Sequence, residues 1–284
     1  MHSKSSMLNR PLMFAAIMAV APIAQGQAQT VGVSAAIRNN VQLTTQANPS
    51  LHHAILKERV SLGNQIVTAQ ASVIQILLLD QTVFTVGANA KVNIDHFVYD
   101  PNKNLSAVSA TIAKGAFRFM SSKALHANAG QSSIKTPVAS IGIRGTILEG
   151  VVGQDAVKIA KGEPAFASLA ASPDTATLIV LRGPGAAVQG DEATGAIDVT
   201  ANGTTVPVEK SGYAVLIPGT NQSPVGPILL SDNGLMMLYD LLRTTPRKTK
   251  TVAKDLLHSN PINDTFSECV KGPNIQTALC SGAP

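Results

Sequence analysis

The chain has 284 residues and a formal net charge of +5, with 45% hydrophobic and only 14% charged residues. This balance excludes an intrinsically disordered chain, and the length allows one large domain or two modest ones. Aromatic residues make up 4% and Trp is absent, so Val, Ile, Leu and Ala must form the core. The 22 Gly and 16 Pro interrupt the apolar runs, which favours many short strands over long helices.

The N-terminus has the pattern of a targeting segment. Lys4 and Arg10 precede an apolar stretch at residues 12–21, which is too short to span a bilayer. Small residues follow, and Ala24-Gln25-Gly26 or Gly26-Gln27-Ala28 offers a cleavage site. We therefore predict a signal peptide over residues 1–28 and a mature chain without a membrane span. The expected location is the periplasm or cell surface of a Gram-negative-type bacterium.

The first part of the mature chain is predicted to be rich in strands. Residues 51–59 allow one or two helical turns before the β pattern begins. Val92 and Ile94, followed by His96, alternate with polar residues, which predicts a half-buried strand with His96 on the buried side. The predicted strands, separated by turn residues and a polar loop at 121–130, are 64–70, 71–79, 82–86, 91–97, 105–112, 114–119, 131–136, 138–143 and 146–152.

A second β-rich block and one helix follow. The predicted strands are 156–159, 177–181, 196–200, 205–208 and 213–217, with Asn202-Gly203 as a hairpin turn. Leucines recur at helical spacing over residues 234–243. The predicted fold is all-β: a compact multi-stranded sandwich, barrel or solenoid-like domain, extended by further hairpins and one short C-terminal helix. The division is 29–62 (N-terminal segment), 63–153 (central β domain), 154–227 (second β block) and 228–284 (helix, basic linker and tail).

The C-terminal tail contains the only two cysteines, Cys269 and Cys280. In an exported protein we expect them to form a disulfide that staples the tail locally. A basic cluster at residues 247–250 has no interleaved aromatic residues, so a solvated linker is favoured and nucleic acid is not an expected partner.

Motifs of catalysis and cofactor binding are missing. The sequence contains no G-x-S-x-G, H-E-x-x-H or P-loop pattern. His52 and His53 are adjacent and are expected on the surface, because neighbouring side chains on a strand or helix point apart. Asp100, Asn102 and Asn104 have the spacing that begins a calcium loop, but the rest of that loop is absent and a plain turn is favoured. We predict no catalytic site, cofactor or metal.

Three ordered motifs carry a family resemblance. They are residues 77–101, Ile112-Ala-Lys-Gly115 with Phe117 and Phe119, and residues 134–146, which include TPVASIGIRGT. Together they resemble the FecR domain family over about residues 63–153, and Gln81 stands where that family usually has glycine in Asp-Gly-Ser. The resemblance assigns the following residues to the fold motif: Asp80, Gly115, Phe117, Thr136, Pro137, Gly142, Arg144, Gly145 and Thr146.

The resemblance implies an all-β domain that works outside the cytoplasm. The best-known members are transmembrane regulators that relay an iron-siderophore signal to an anti-sigma activity, but this chain is similar to standalone secreted FecR-domain proteins instead. We expect a non-catalytic binding or signalling-associated module whose partner is an envelope protein or a surface ligand. The alternatives are a structural or adhesive envelope protein and, less favoured, an envelope glycan hydrolase or lyase. The oligomeric state is left open.

The residues of the last motif also have expected physical roles. Pro137 suits an edge or a strand start, because it lacks a ladder donor. Gly142 and Gly145 are expected at bends or close backbone approaches. Arg144 is expected to be buried and to lock the fold, with its guanidinium across neighbouring carbonyls or paired with a carboxylate such as Asp95 or Asp100. The alternative is that Arg144 binds a partner or an anion.

Overall fold

The structure is a computed structural model, and it describes residues 29–45, 49–123, 125, 130–183 and 195–245. Its elements within those ranges include seventeen strands, two α-helices and a 3₁₀-helix at Pro101–Lys103. The strands are β1 (Thr30–Arg38), β2 (Val41–Leu43), β3 (His52–His53), β4 (Arg59–Ser61), β5 (Gln65–Thr68), β6 (Val73–Leu78), β7 (Val83–Val86), β8 (Lys91–Asp100), β9 (Leu105–Met120), β10 (Ser132–Lys135), β11 (Ser140–Arg144), β12 (Ile147–Val152), β13 (Thr177–Gly183), β14 (Ala196–Ala201), β15 (Thr204–Val208), β16 (Tyr213–Ile217) and β17 (Val225–Leu229). The helices are α1 (Gln154–Lys161) and α2 (Asp232–Leu242).

The strands form two layers that share strand β9. Sheet A has the order β4-β1-β6-β7-β9-β12-β13-β16-β17. Sheet B has the order β3-β2-β5-β8-β9-β10-β11-β14-β15. Every pairing is antiparallel except that of β9 with β10. Neither ladder closes on itself, and the chain passes repeatedly between the layers, so later strands extend the sheets that the earlier strands began.

Strand β9 crosses from one layer to the other at Gly115. Its first part pairs with β8 in sheet B, and its last residues pair with β7 and β12 in sheet A. The inward side chains are Val108 and Ile112 before the crossing and Phe117 after it, so the alternation changes phase there. Gly115 has φ +86, and a Cβ at this position would overlap the backbone of Ala90. The crossing therefore requires glycine.

Two hydrophobic cores organise the layers. The larger core lies between the sheets and contains inward side chains of both, including Phe84, Phe117, Phe119, Ile141 and Ile197. The second core lies on the outer face of sheet A, where α1 and α2 pack over β9, β12, β13 and β16. Sheet A is thus the middle layer of three. The outer face of sheet B carries half-buried and exposed polar side chains instead.

The edges of both sheets are protected from further strand pairing. Edge strands β3 and β4 have only two and three residues. The opposite edge strands, β15 and β17, contain Pro207 and Pro227. Short strands and prolines leave few free backbone groups in register, which disfavours edge-to-edge association.

The all-β prediction is confirmed, with the short C-terminal helix at Asp232–Leu242. Several local expectations are wrong. Residues 156–159 belong to α1 rather than a strand, and residues 51–59 form β3, a turn and the start of β4 rather than a helix. His96 is exposed, because a bulge between Ile94 and His96 shifts the alternation and gives Phe97 the inward position. The predicted signal peptide and the Cys269–Cys280 disulfide lie outside the described residues. No helix in the described ranges is long and apolar enough to cross a membrane.

Candidate functional site

Asp80 is the centre of a buried hydrogen-bond cluster. It lies in the turn between β6 and β7 and is 3% exposed. Oδ1 accepts from the Thr82 backbone N–H at 2.9 Å, and Oδ2 accepts from the Thr82 hydroxyl at 2.8 Å. Oδ2 also accepts from the hydroxyls of Ser106 and Ser122. Because Ser106 begins the sheet B part of β9 and Ser122 follows its end, one carboxylate ties the turn to both layers.

The residue after Asp80 has a backbone conformation that favours glycine. Gln81 has φ +72, in the left-handed region. A residue with a Cβ loses about 1–2 kcal/mol in this conformation. The turn keeps this conformation nevertheless, because the hydrogen bonds of the Asp80 cluster stabilise the residues on both sides of Gln81.

The run from Thr136 to Thr146 forms a hairpin and a crossing between layers. Thr136 and Pro137 lie in the turn between β10 and β11, where the Ala139 N–H donates to Thr136 Oγ1 at 3.1 Å. Pro137 is therefore neither on an edge nor at a strand start. Gly142 lies in regular strand, and a Cβ there would meet only Asp198 at ordinary contact distance. The expectation of a bend or close approach at Gly142 is wrong.

Gly145 and Thr146 carry the chain from sheet B to sheet A. Gly145 has φ +54, and a Cβ on Gly195 would overlap the Gly145 carbonyl, so the two backbones touch. Thr146 is fully buried, and its hydroxyl donates to the Gly183 carbonyl at 2.8 Å. Its backbone N–H donates to Ser121 Oγ at 3.0 Å. Gly115 and Gly145, each from a different family motif, thus mark two crossings between the same layers.

Arg144 lies on the solvent side of sheet B. Its side chain is 40% exposed, and Nη2 lies 3.1 Å from Asp198 Oδ1 and 3.7 Å from Glu209 Oε1. The expectation of a buried pair with Asp95 or Asp100 is wrong, because Arg144 is exposed and contacts Asp198 of β14, its diagonal neighbour, which is the cross-strand partner of Gly142. Arg144 therefore belongs to an exposed charge network.

We expect Arg144→Ala to lower the free energy of unfolding by about 1 kcal/mol or less, since exposed ion pairs contribute little. A buried pair would lose about 3–5 kcal/mol on the same change. Urea denaturation of the variant and the wild type distinguishes the two values. A loss above about 2 kcal/mol would contradict the exposed placement.

The buried ion cluster is formed by Arg118, Glu149 and Arg182 on the outer face of sheet A. Arg118 and Glu149 are cross-strand neighbours, 4% and 1% exposed. Arg118 Nε donates to Glu149 Oε1 at 2.7 Å, and Arg118 Nη2 lies 2.7 Å from the same oxygen. Arg182 Nε lies 3.4 Å from Glu149 Oε2, without hydrogen-bond geometry. Sequence reasoning missed this cluster, although a lone Glu within the apolar residues 147–152 was a usable signal.

The cluster continues as a polar row across sheet A. Gln75 pairs with Thr85, and Thr85 pairs with Arg118, through β6, β7 and β9. Both are buried, and Gln75 Oε1 and Thr85 Oγ1 have no hydrogen-bond partner. The row interrupts an otherwise apolar face of sheet A. It therefore restricts the positions in which a helix or loop can pack on that face.

His52 forms a clip with Glu58 at the N-terminal edge of the sheets. His52 Nε2 lies 2.7 Å from Glu58 Oε1, and the Ile55 N–H donates to Glu58 Oε2 at 3.0 Å. The hydrogen bond to Glu58 raises the pKa of His52 above its ordinary value of 6.5. His53 is exposed, as expected for adjacent histidines.

The clip predicts a pH dependence of stability. Because the folded-state pKa of His52 is raised, its contribution is complete below about pH 6.5 and is lost as pH rises through that raised pKa. We expect wild type to exceed His52→Gln in free energy of unfolding at about pH 5.5, and the difference to shrink by about pH 8.5. Denaturation of both proteins across this range tests it. A difference that grows with pH would contradict the ion pair.

Asp100 forms a local turn. Its Oδ1 accepts from the N–H groups of Asn102 and Lys103, as in a plain Asx turn. Within the described ranges, no three His, Cys, Asp or Glu residues are grouped in a way that could hold a metal ion.

The comparison with known families agrees with the positions of the three motifs. Residues 64–184 match the model of the family described as FecR protein, and this range includes the Asp80 cluster and both glycine crossings. The chain carries a FecR domain. The match extends past residue 153 to β13, whose pairing with β12 completes the surroundings of Glu149 in the FecR domain.

Solved structures resemble the chain only distantly. Two crystal structures of a proposed anti-sigma factor from Parabacteroides distasonis ATCC 8503 match with 12% and 13% identity and a TM-score of 0.34. Each alignment covers 57% of this chain and 57% of the other. The chain thus spans little more than half the length of these relatives. No curated protein matches the sequence.

Proposed function

We propose that the protein is an exported, non-catalytic FecR-domain module that binds an envelope protein or surface ligand in a signalling role. The FecR family match over residues 64–184 carries this proposal. Two buried acids support it, because hydroxyls engage Asp80 and the Arg118 guanidinium engages Glu149, so hydrogen bonds within the fold occupy both carboxylates. Export rests on the N-terminal pattern of Lys4, Arg10 and the apolar residues 12–21.

The outer face of sheet B is the surface that suits a partner. The helices pack on sheet A, whereas β10, β11 and β14 present Ser133, Arg144 and Asp198 to solvent. These polar side chains line the surface, and a side chain added at Gly142 would meet only Asp198, at ordinary contact distance.

Capture of partners from the envelope of the source bacterium tests the proposal. The full chain is expected to retain a specific envelope component, and Gly142→Arg is expected to abolish retention without changing the free energy of unfolding. Thr204→Arg, on exposed edge strand β15, is the matched control and should retain it. Equal retention by all three proteins would reject this face. If a strain that lacks the protein shows altered cell attachment and unaltered transcription, the alternative of a structural or adhesive envelope protein is supported instead.

A further inference from the structure

The segment 51–59 concentrates exposed apolar side chains. Of the six large hydrophobic residues exposed in the described ranges, three lie in this segment: Leu51 at 43%, Ile55 at 65% and Leu56 at 54%. Leu51 lies just before β3, and Ile55 and Leu56 lie in the turn before β4, next to the edge strands of both sheets. Single exposed hydrophobic residues are ordinary on a protein surface, but three within six residues form a patch.

The positive and negative side chains of segment 51–59 differ in exposure. Lys57 and Arg59 are exposed and form no ion pair among the described residues. Glu58, the one acid of the segment, points inward and is occupied by His52 and the Ile55 N–H. The segment therefore presents apolar side chains and cations to the outside and holds its only anion away from the surface.

The backbone of segment 51–59 is held rigidly. Ser34 Oγ donates to the Ile55 carbonyl at 2.6 Å and accepts from the Glu58 N–H at 2.9 Å. The Lys57 N–H donates to the Ser34 carbonyl at 2.8 Å, with Lys57 at φ +65. The Ala54 N–H donates to the Val41 carbonyl at 3.0 Å. The turn is fixed before any partner arrives, so little conformational entropy is lost when its side chains are buried.

We propose that segment 51–59 is a membrane-contact element for an anionic lipid surface. Leu51, Ile55 and Leu56 enter the boundary between headgroups and acyl chains, while Lys57 and Arg59 contact anionic headgroups. Strand pairing with a protein is the less suited alternative, because β3 and β4 are too short to offer a backbone edge. The proposal depends on neither the FecR match nor the predicted signal peptide.

The absence of Trp from the chain permits a local test. Leu56→Trp introduces one fluorophore at the tip of the turn, and Leu229→Trp introduces one at an exposed site of β17 as the matched control. Full-length proteins are mixed with vesicles of phosphatidylcholine alone or with added phosphatidylglycerol. We expect a blue shift only for Leu56→Trp and only with the anionic vesicles. Attachment through any other part of the chain would not shift the position 56 signal.

Charge variants in the Leu56→Trp background test the role of the cations. Lys57→Gln and Arg59→Gln are each expected to weaken vesicle binding roughly fivefold at low salt. No shift with anionic vesicles, or an equal shift at position 229, would overturn the proposal. A blue shift that appears without vesicles as protein concentration rises would also overturn it, in favour of contact between two copies of the chain.

Discussion

Glu149→Ala is expected to lower the free energy of unfolding by about 3–5 kcal/mol, because it breaks a buried ion pair. The substitution leaves the Arg118 guanidinium, 4% exposed, without the carboxylate that lies 2.7 Å from it. Arg182 then adds a second positive charge on the same face. Urea denaturation monitored by far-UV circular dichroism measures the loss.

Companion variants separate the charge effect from a general loss of packing. Glu149→Gln keeps the shape and is expected to lose less than Glu149→Ala. The double change Arg118→Met with Glu149→Met removes both buried charges and should recover much of the loss, since apolar replacements of buried pairs are often neutral. Arg144→Ala, in an exposed pair, is the matched control. A loss below about 1 kcal/mol for Glu149→Ala would contradict the buried pair.

Asp80→Ala is expected to lower the free energy of unfolding by about 3 kcal/mol or more, because each buried donor left without an acceptor costs about 1–3 kcal/mol. The change removes the acceptor for the Thr82 N–H and for the hydroxyls of Thr82, Ser106 and Ser122. Backbone amide exchange should rise at both ends of β9, because Ser106 and Ser122 flank the part of that strand that joins the layers.

The matched control for Asp80 is Asp95, which accepts from the Thr111 hydroxyl at an exposed site. Asp95→Ala should change the free energy of unfolding by less than about 1 kcal/mol. Asp80→Asn should lose less than Asp80→Ala, since the amide keeps one acceptor oxygen. Equal losses for Asp80→Ala and Asp95→Ala would show that the buried cluster does not stabilise the fold.

Local patterns identified most of the strands but not every element. Asn202-Gly203 correctly predicts the β14–β15 hairpin. The prediction of a strand at residues 156–159 is wrong, since Ala156, Ile159 and Ala160 have the i, i+3, i+4 spacing of an amphipathic helix. The outer face of sheet A needs an apolar cover, and α1 supplies part of it. That requirement appears only once the sheet is assembled.

The arginines show why burial could not be predicted from a motif. Arg144 stands in the most distinctive run of the sequence, but β11 directs it to the open face of sheet B. The sequence assigns no role to Arg118, but the register between β9 and β12 places it opposite Glu149, thirty-one residues later in the chain. Pairing between strands far apart in sequence decides which charges meet, and a shift of one residue would reverse their faces.

Period-two alternation, glycine and Asp/Asn chemistry act over a few residues, so the strand-rich pattern, the turns and the FecR motifs can be recognised without a structure. The positions of the residues of TPVASIGIRGT depend on the assembled sheets. Gly145 and Thr146 form a crossing between two sheets, while Gly142 and Arg144 lie on an open surface. The reason is physical: a crossing is defined by the two layers it joins, and those layers contain strands from the whole described chain.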